Sequence, residues 1–260
     1  MVKTGLLASL RNALAVALRN PGYVVVLSVV SGGLGTLFSD LVAELAVRVA
    51  SPDRGRPELL VSELTRTAAD IAWGATVGAL VAASTLYLWV QKERGQAASF
   101  YDGLNYGLNR FGRMVRAHGR ALLAVQLGML VIVPGILFGL QYAFVDAIAA
   151  LDDQETDPLA RSRRLTAGRR GLILRTFAVF GLWWLPYQLL LLYMVQDPDT
   201  FLVSTLGLPT STAELVGPTL LPAAGAINGL VLVLLDLCMV QYYLDLFRKP
   251  KAEDAAGAKR

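Results

Sequence analysis

Apolar residues in this chain gather in long runs. Pro21 to Phe38, Ile71 to Val90, Ala121 to Ala150, Gly171 to Val195 and Leu220 to Val240 carry few or no charges. A bilayer core about 30 Å thick is crossed by roughly 20 apolar helical residues. Helices of that length in soluble proteins normally show a polar face. The pattern therefore predicts an all-α, polytopic helical membrane protein with about six membrane-embedded segments. Full spans are expected at 22–47, 70–91, 171–195 and 220–247. Together with the apolar stretch 121–150 they form one integral membrane domain, 1–248, followed by a disordered cytoplasmic tail, 249–260.

Two segments instead show helical amphipathicity. Leu7, Leu10, Leu14 and Leu18 share one face of a helix within 1–20, opposite Lys3, Arg11 and Arg19, and Asn20-Pro21-Gly22 ends it. Farther on, Leu104, Leu108, Phe111 and Val115 oppose Arg110, Arg113, Arg116 and Arg120. Both read as interfacial helices. The first apolar run lacks a natural small-x-small cleavage site and is read as a retained span.

The basic residues bear on topology. Three Lys or Arg precede the first span, four occupy 48–66, six lie in 92–120 and six in 161–175; 196–219 has none and the tail from Arg248 has five. Cytoplasmic loops are enriched in such residues. Both termini and the two richest segments are thus expected in the cytoplasm, in a multi-pass protein of the bacterial inner membrane. Segments 92–120 and 161–175 flank one apolar stretch, so a single crossing would separate them. Pro134-Gly135 divides that stretch into pieces of about 20 Å each, too short to span. The expectation is four full spans plus a Pro-Gly-broken helical hairpin at 121–150; the alternative is one long, kinked span.

Ionisable groups at bilayer depth are costly and mark pathways or paired contacts. Asp236 is the sharpest case, near the middle of the last span, with Asn228 on the same helix and Asp245 near its end. Gln126, Gln141 and Asp146 lie on the half-helices, and Arg175 near the start of the 171–195 span, where it could pair with Asp245. Asp236 is expected to be protonated or bonded to Gln126 or Gln141. Headgroup candidates are Arg110, Arg113, Arg116, Arg161, Arg163, Arg164, Arg169 and Arg170, whose fork geometry suits anionic lipids. Gly74-x-x-x-Gly78 and Gly225-x-x-x-Gly229 permit close helix contacts, within the chain or in a homo-oligomer.

Composition changes this picture little. The mean hydropathy is +0.51 and only 17% of residues are charged, against about 25% in soluble domains. The net charge of +4 follows from where the basic residues lie and implies no nucleic-acid partner. Cys238 is the single cysteine and His118 the single histidine, lying among arginines. A disulfide framework, a thiolate or histidine metal site and a histidine triad are excluded, and no cofactor is implied.

The run Leu130 to Val145, with Val133-Pro134-Gly135-Ile136 at its centre, and its continuation from Pro158 through Ser162, Leu165, Thr166 and Gly168 to Arg170 form a recurring pattern. A helix break, an apolar segment and then "A-x-x-S-x-x-L-T-x-G" resembles the YciC-like inner-membrane proteins. It is also similar to the membrane domain of some glycerophosphoryl diester phosphodiesterases. The ending Tyr242 to Arg248 is similar to their "Y-x-D-L-R" ending. The resemblance implies about six membrane segments and no established activity. The same motif has a physical reading: Asp157 caps a short helix that opens on Pro158, and Ser162 packs against the hairpin.

The function expected from these features is non-enzymatic: an accessory or structural component in envelope or lipid homeostasis, contacting membrane lipids, anionic ones among them, or a membrane-protein partner. The alternative is a small transporter with a polar site around Asp236 and the broken hairpin.

Overall fold

A computed structural model of the chain describes residues 5–50, 57–196, 203, 207 and 209–245. The expected disordered tail, 249–260, lies outside the described residues. Among them the protein is all-helical: α1 (Leu6–Arg19), α2 (Pro21–Ser28), α3 (Leu34–Ala50), α4 (Pro57–Trp73), α5 (Ala79–Glu93), α6 (Phe100–Met129), α7 (Val133–Tyr142), α8 (Val145–Leu151), α9 (Pro158–Thr166), α10 (Arg170–Gln196) and α11 (Thr210–Tyr243). Single π-helical turns, Val29–Gly33 and Gly74–Gly78, join α2 to α3 and α4 to α5 into two long, continuous helices.

Local chemistry sets the boundaries. Pro21, Pro134 and Pro158 occupy first turns, where the missing N–H costs nothing. Asp157 accepts from the Ala160 amide at 3.2 Å, so the expected N-cap is present. After α5, Gly95 turns left-handed (φ 67°), and Gly95 and Gln96 donate back to the Lys92 and Gln91 carbonyls. This is a Schellman closure, which satisfies the last carbonyls of the helix.

α5 is the central element: Val81 to Trp89 are all buried. Around it pack α2, α6, α8 and α11. Aromatic donors tie the layers together, with Trp89 Nε1 on the Leu237 carbonyl (2.8 Å) and Tyr23 Oη on that of Ser84 (3.0 Å). The first π turn meets α11 backbone to backbone: a Cβ on Gly32 would stand 2.5 Å from the Gly225 carbonyl carbon and 2.9 Å from the Gly229 nitrogen. The Gly225-x-x-x-Gly229 motif thus serves packing inside the chain.

Among the described residues, four segments are long and apolar enough to cross a membrane: Pro21–Val49, Val61–Glu93, Val133–Leu151 and Pro222–Tyr243. Three coincide with expected spans and the fourth is the returning arm of the hairpin; the expected span 171–195 forms the helix α10. The second span also begins earlier than expected. Residues 57–70 continue it as helix because their charges find partners on α3: Arg66 meets Asp40 at 3.0 Å and Ser39 bonds Asp70. Leu34, Leu37, Leu41 and Leu45 on α3, and Ile227, Leu230 and Leu232 on α11, point outward. So extensive an apolar surface suits lipid rather than water.

The 121–150 stretch is indeed a helical hairpin, but with unequal arms. α6 runs unbroken for 30 residues, about 45 Å, absorbing both the second amphipathic segment and the first half of the apolar stretch. The chain reverses over Leu130–Ile132, where Ile132 takes φ 59°, strained for a β-branched residue. Pro134 opens the return helix instead of breaking one. Gly135 fits because a Cβ there would meet the Met129 backbone nitrogen at 2.6 Å. α7 and α8 then descend along α6 until Arg110 donates to the Ala150 carbonyl at 2.9 Å. Arg110 and Arg113 therefore meet the turn at 152–155 at the open end of the hairpin.

α1 packs through its small side chains. Ser9, Ala13, Val16 and Ala17 are buried and α1 packs on α11, while Leu7, Leu14 and Leu18 stay exposed. Small side chains let the two backbones approach closely, which the leucine face would prevent.

Candidate functional site

The sequence motif after the hairpin explains how the site is held. α7 ends at Tyr142 and α8 begins at Val145, so the backbone between them needs partners. Ser162 Oγ accepts from the Phe144 amide (3.2 Å) and donates to the Gln141 carbonyl (2.8 Å), which Thr166 Oγ1 also reaches at 3.3 Å. Both side chains are fully buried. This joint turns α8 relative to α7 and sets Asp146 in the first turn of α8, where the helix dipole favours a carboxylate.

Asp146 faces His118 on α6, with Nδ1 2.9 Å from Oδ1 and 3.0 Å from Oδ2. The other side of the ring lies toward the second π turn: a Cβ on Gly78 would be 3.7 Å from Nε2. π-helical turns often occur at functional sites; here Gly78 gives the imidazole room to approach. Burial works against a charge on the ring. The charge and hydrogen bond of the Asp146 carboxylate, joined by the charge of Asp236, outweigh it and hold His118 well above its ordinary value, at about 9.

His118 and Asp146 line a cavity of about 190 Å³ together with Asp236 on α11. Its other walls are apolar or aromatic, including Tyr142, Phe177 and Met239. Asp236 is enclosed by the bundle yet keeps some accessible surface, because it borders this space. With His118 matched by Asp146, Asp236 is the surplus acid. The chemistry of such a site suits proton exchange or a small cationic group better than an anion.

The structure thus brings together Asp146 and Asp236 but separates the other buried polar candidates. Gln126 is exposed on α6, so it is no partner for Asp236. Gln141 acts through its carbonyl at the joint. Asn228 is half-buried two turns before Asp236, about 12 Å along α11. Arg175 is exposed, and Asp245 accepts from Gln241 at 3.4 Å.

Among the arginines, three are engaged by the turn after α8. Arg110 and Arg113 each meet Asp153 at 3.4 Å, Arg113 also bonds the Asp152 and Glu155 carbonyls, and Arg161 pairs with Asp152 and Glu155. Arg116, Arg163, Arg164 and Arg170 are exposed and Arg169 half-exposed. Arg163 also lies 5.5 Å from the centre of the Tyr142 ring.

Sequence reading missed His118. The available signal was its spacing: Met114 and Ala117, both buried, put His118 on the inward face of α6 rather than among the outward arginines. No protein-family model, curated protein or solved structure matches the chain.

Proposed function

We propose that this protein, an integral membrane protein by its four apolar helices, is a non-enzymatic component of the bacterial inner membrane. On this reading it supports envelope or lipid homeostasis through contacts with lipids or a membrane partner, and the His118–Asp146–Asp236 cavity is its working centre. One observation carries the proposal: ionisable groups from α6, α8 and α11 converge on a cavity whose remaining walls are apolar or aromatic. Such groups are costly inside a bundle of this kind, and an apolar core would be the cheaper solution. The hairpin, which returns the arginine-rich segments to one end, supports an orientation with both termini in the cytoplasm. The resemblance to the YciC-like proteins fits the same reading.

A second reading, a small transporter, is favoured by a separate feature. The helix break between α7 and α8 lies within three residues of Asp146, and discontinuous helices recur at transport sites. The test compares wild type with Asp236→Asn in two measurements. One is mass spectrometry of lipids and proteins retained in native-lipid nanodiscs; the other is dissipation of a pH gradient in proteoliposomes. The accessory reading expects a selective lipid or stoichiometric partner that the substitution weakens, and no proton flux. Flux lost in Asp236→Asn would establish the transport reading instead. A retained set and a flux both indifferent to the substitution would remove the cavity as the working centre.

A further inference from the structure

Of the three ionisable groups on the cavity between α6, α8 and α11, two answer each other. His118 Nδ1 lies 2.9 and 3.0 Å from the two Asp146 oxygens. Asp236 has no such contact. Among the described residues no hydrogen bond reaches its carboxylate, and neither of its oxygens is among the sealed polar atoms. Both oxygens therefore keep accessible surface, and the side chain lines this cavity. A carboxylate accepts at two oxygens and donates at none, so the group that completes it is a donor, and a charged donor bonds most strongly.

The walls decide which cation fits. A hard metal ion takes about six oxygen ligands, and among the described residues no three His, Cys, Asp or Glu side chains come together to hold one. Leu122, Val125, Phe177 and Met239 make most of the remaining lining apolar, and an aromatic wall favours an organic cation. With about 30 Å³ for each water, the space of about 190 Å³ has room for about six non-hydrogen atoms. Leu122, Val125 and Phe177 are themselves half-buried, so the cavity reaches the surface of the bundle through an apolar rim.

We propose that this cavity binds a small alkylammonium group, a cation that brings both N–H donors and a short apolar part. The ammonium donates to Asp236, and the carbon chain lies between Gly139 and Phe177, which also line the space. A quaternary ammonium has no N–H and sodium has no apolar part, so each matches only half of the site. The inference rests on the reading of this cavity as the working centre and adds its ligand.

The test titrates the full chain, purified in detergent, with n-propylammonium in a calorimeter. Saturable binding is expected, with tetramethylammonium and sodium weaker by about tenfold or more, the worth of one hydrogen bond to a charged group. Asp236→Asn keeps the size of the side chain and should lose about the same factor. Gly139→Ala leaves every charge in place, and its Cβ would stand 3.9 Å from the Phe177 ring, an ordinary contact. It should weaken propylammonium while sparing methylammonium, a size dependence that a general loss of folding does not produce. Nanodiscs of phosphatidylethanolamine and phosphatidylcholine, read by native mass spectrometry, identify the source. Asp236-dependent enrichment of phosphatidylethanolamine assigns the ammonium to a lipid headgroup; propylammonium binding without that enrichment assigns it to a free amine. The proposal is overturned by binding that Asp236→Asn leaves intact, by tetramethylammonium or sodium bound as tightly, or by a Gly139→Ala variant that binds both amines as wild type does. Absence of saturable binding overturns it too. If Asp236→Asn then still weakens a retained lipid or partner, or abolishes proton flux, the cavity remains the working centre without an ammonium ligand; indifference in all of these removes both.

Discussion

Replacing Gly32 by alanine tests the packing on which the bundle depends. The added methyl would face the Gly225 carbonyl carbon at 2.5 Å and the Gly229 nitrogen at 2.9 Å, where ordinary contact begins at 3.4 Å. Both obstacles are backbone, so no side-chain rotation relieves the clash, and the helices must part by roughly 1 Å. A gap of that size forfeits a quarter to a half of each dispersion contact it opens. The buried side chains at stake on α2 and α11 include Val24, Leu27, Val233 and Leu237. Overpacking costs about 1–3 kcal/mol, and rigid obstacles place Gly32→Ala at the upper end, about 3 kcal/mol. Gly33→Ala meets the Pro222 carbonyl oxygen at 3.1 Å and the Ala226 side chain at 3.6 Å, so it should cost about 1 kcal/mol. Gly112, with nothing within 4 Å of a Cβ on the exposed side of α6, should gain up to about 1 kcal/mol in helix propensity. The protein carries its own reporter: Cys238, the single cysteine, is fully buried. A thiol-reactive fluorophore during heating at a fixed scan rate reads unfolding at that position. With about 2–4 °C per kcal/mol, Gly32→Ala should melt roughly 6–12 °C below wild type, Gly33→Ala a few degrees below, and Gly112→Ala at or above it. Equal midpoints for Gly32→Ala and Gly33→Ala would refute the backbone-contact argument.

Asp146→Asn removes the carboxylate facing His118 and should cost about 2 kcal/mol, less than a fully buried pair because both side chains keep about a quarter of their surface; His118→Leu combined with Asp146→Leu should recover part of that loss in thermal unfolding. The pH dependence follows from the same pair. Because His118 is raised from 6.5 to about 9 in the folded protein, its contribution is full below pH 6.5 and lost as pH rises through 9. The midpoint followed by tryptophan fluorescence should therefore fall across that window in wild type and stay flatter in Asp146→Asn. Cysteines at the exposed positions Asn105 and Asp153, in a Cys238→Ala background, should react with an impermeant label from the same side of the membrane. Labelling from opposite sides would exclude the hairpin as a membrane topology. Trp89→Phe deletes the bond to the Leu237 carbonyl and should cost about 1–2 kcal/mol.

The membrane class and the hairpin were legible in the sequence because each rests on a one-dimensional quantity. Runs of about 20 apolar residues have few alternatives to a bilayer span, and a parity conflict between arginine-rich segments flanking 121–150 needs only counting. The Asp157 cap and Ser162 at the joint were legible for the same reason: their partners are near in the chain or specified by the break itself. Tertiary structure decided the rest. Whether α1 buries its leucines or its Ser9-Ala13-Val16-Ala17 stripe depends on how closely α11 can approach. Whether Arg110, Arg113 and Arg161 face lipid or the acids of 152–155 depends on where α8 ends. The site shows the difference most clearly. Asp236 announced itself as an acid in an apolar run, but its neighbours did not, since His118, Asp146 and Gly78 lie on three other helical segments far away in sequence. Periodicity along one helix says which face is apolar; which helix covers that face, and so which charges share a cavity, is set by the close glycine contacts and the hairpin that only the folded chain brings together.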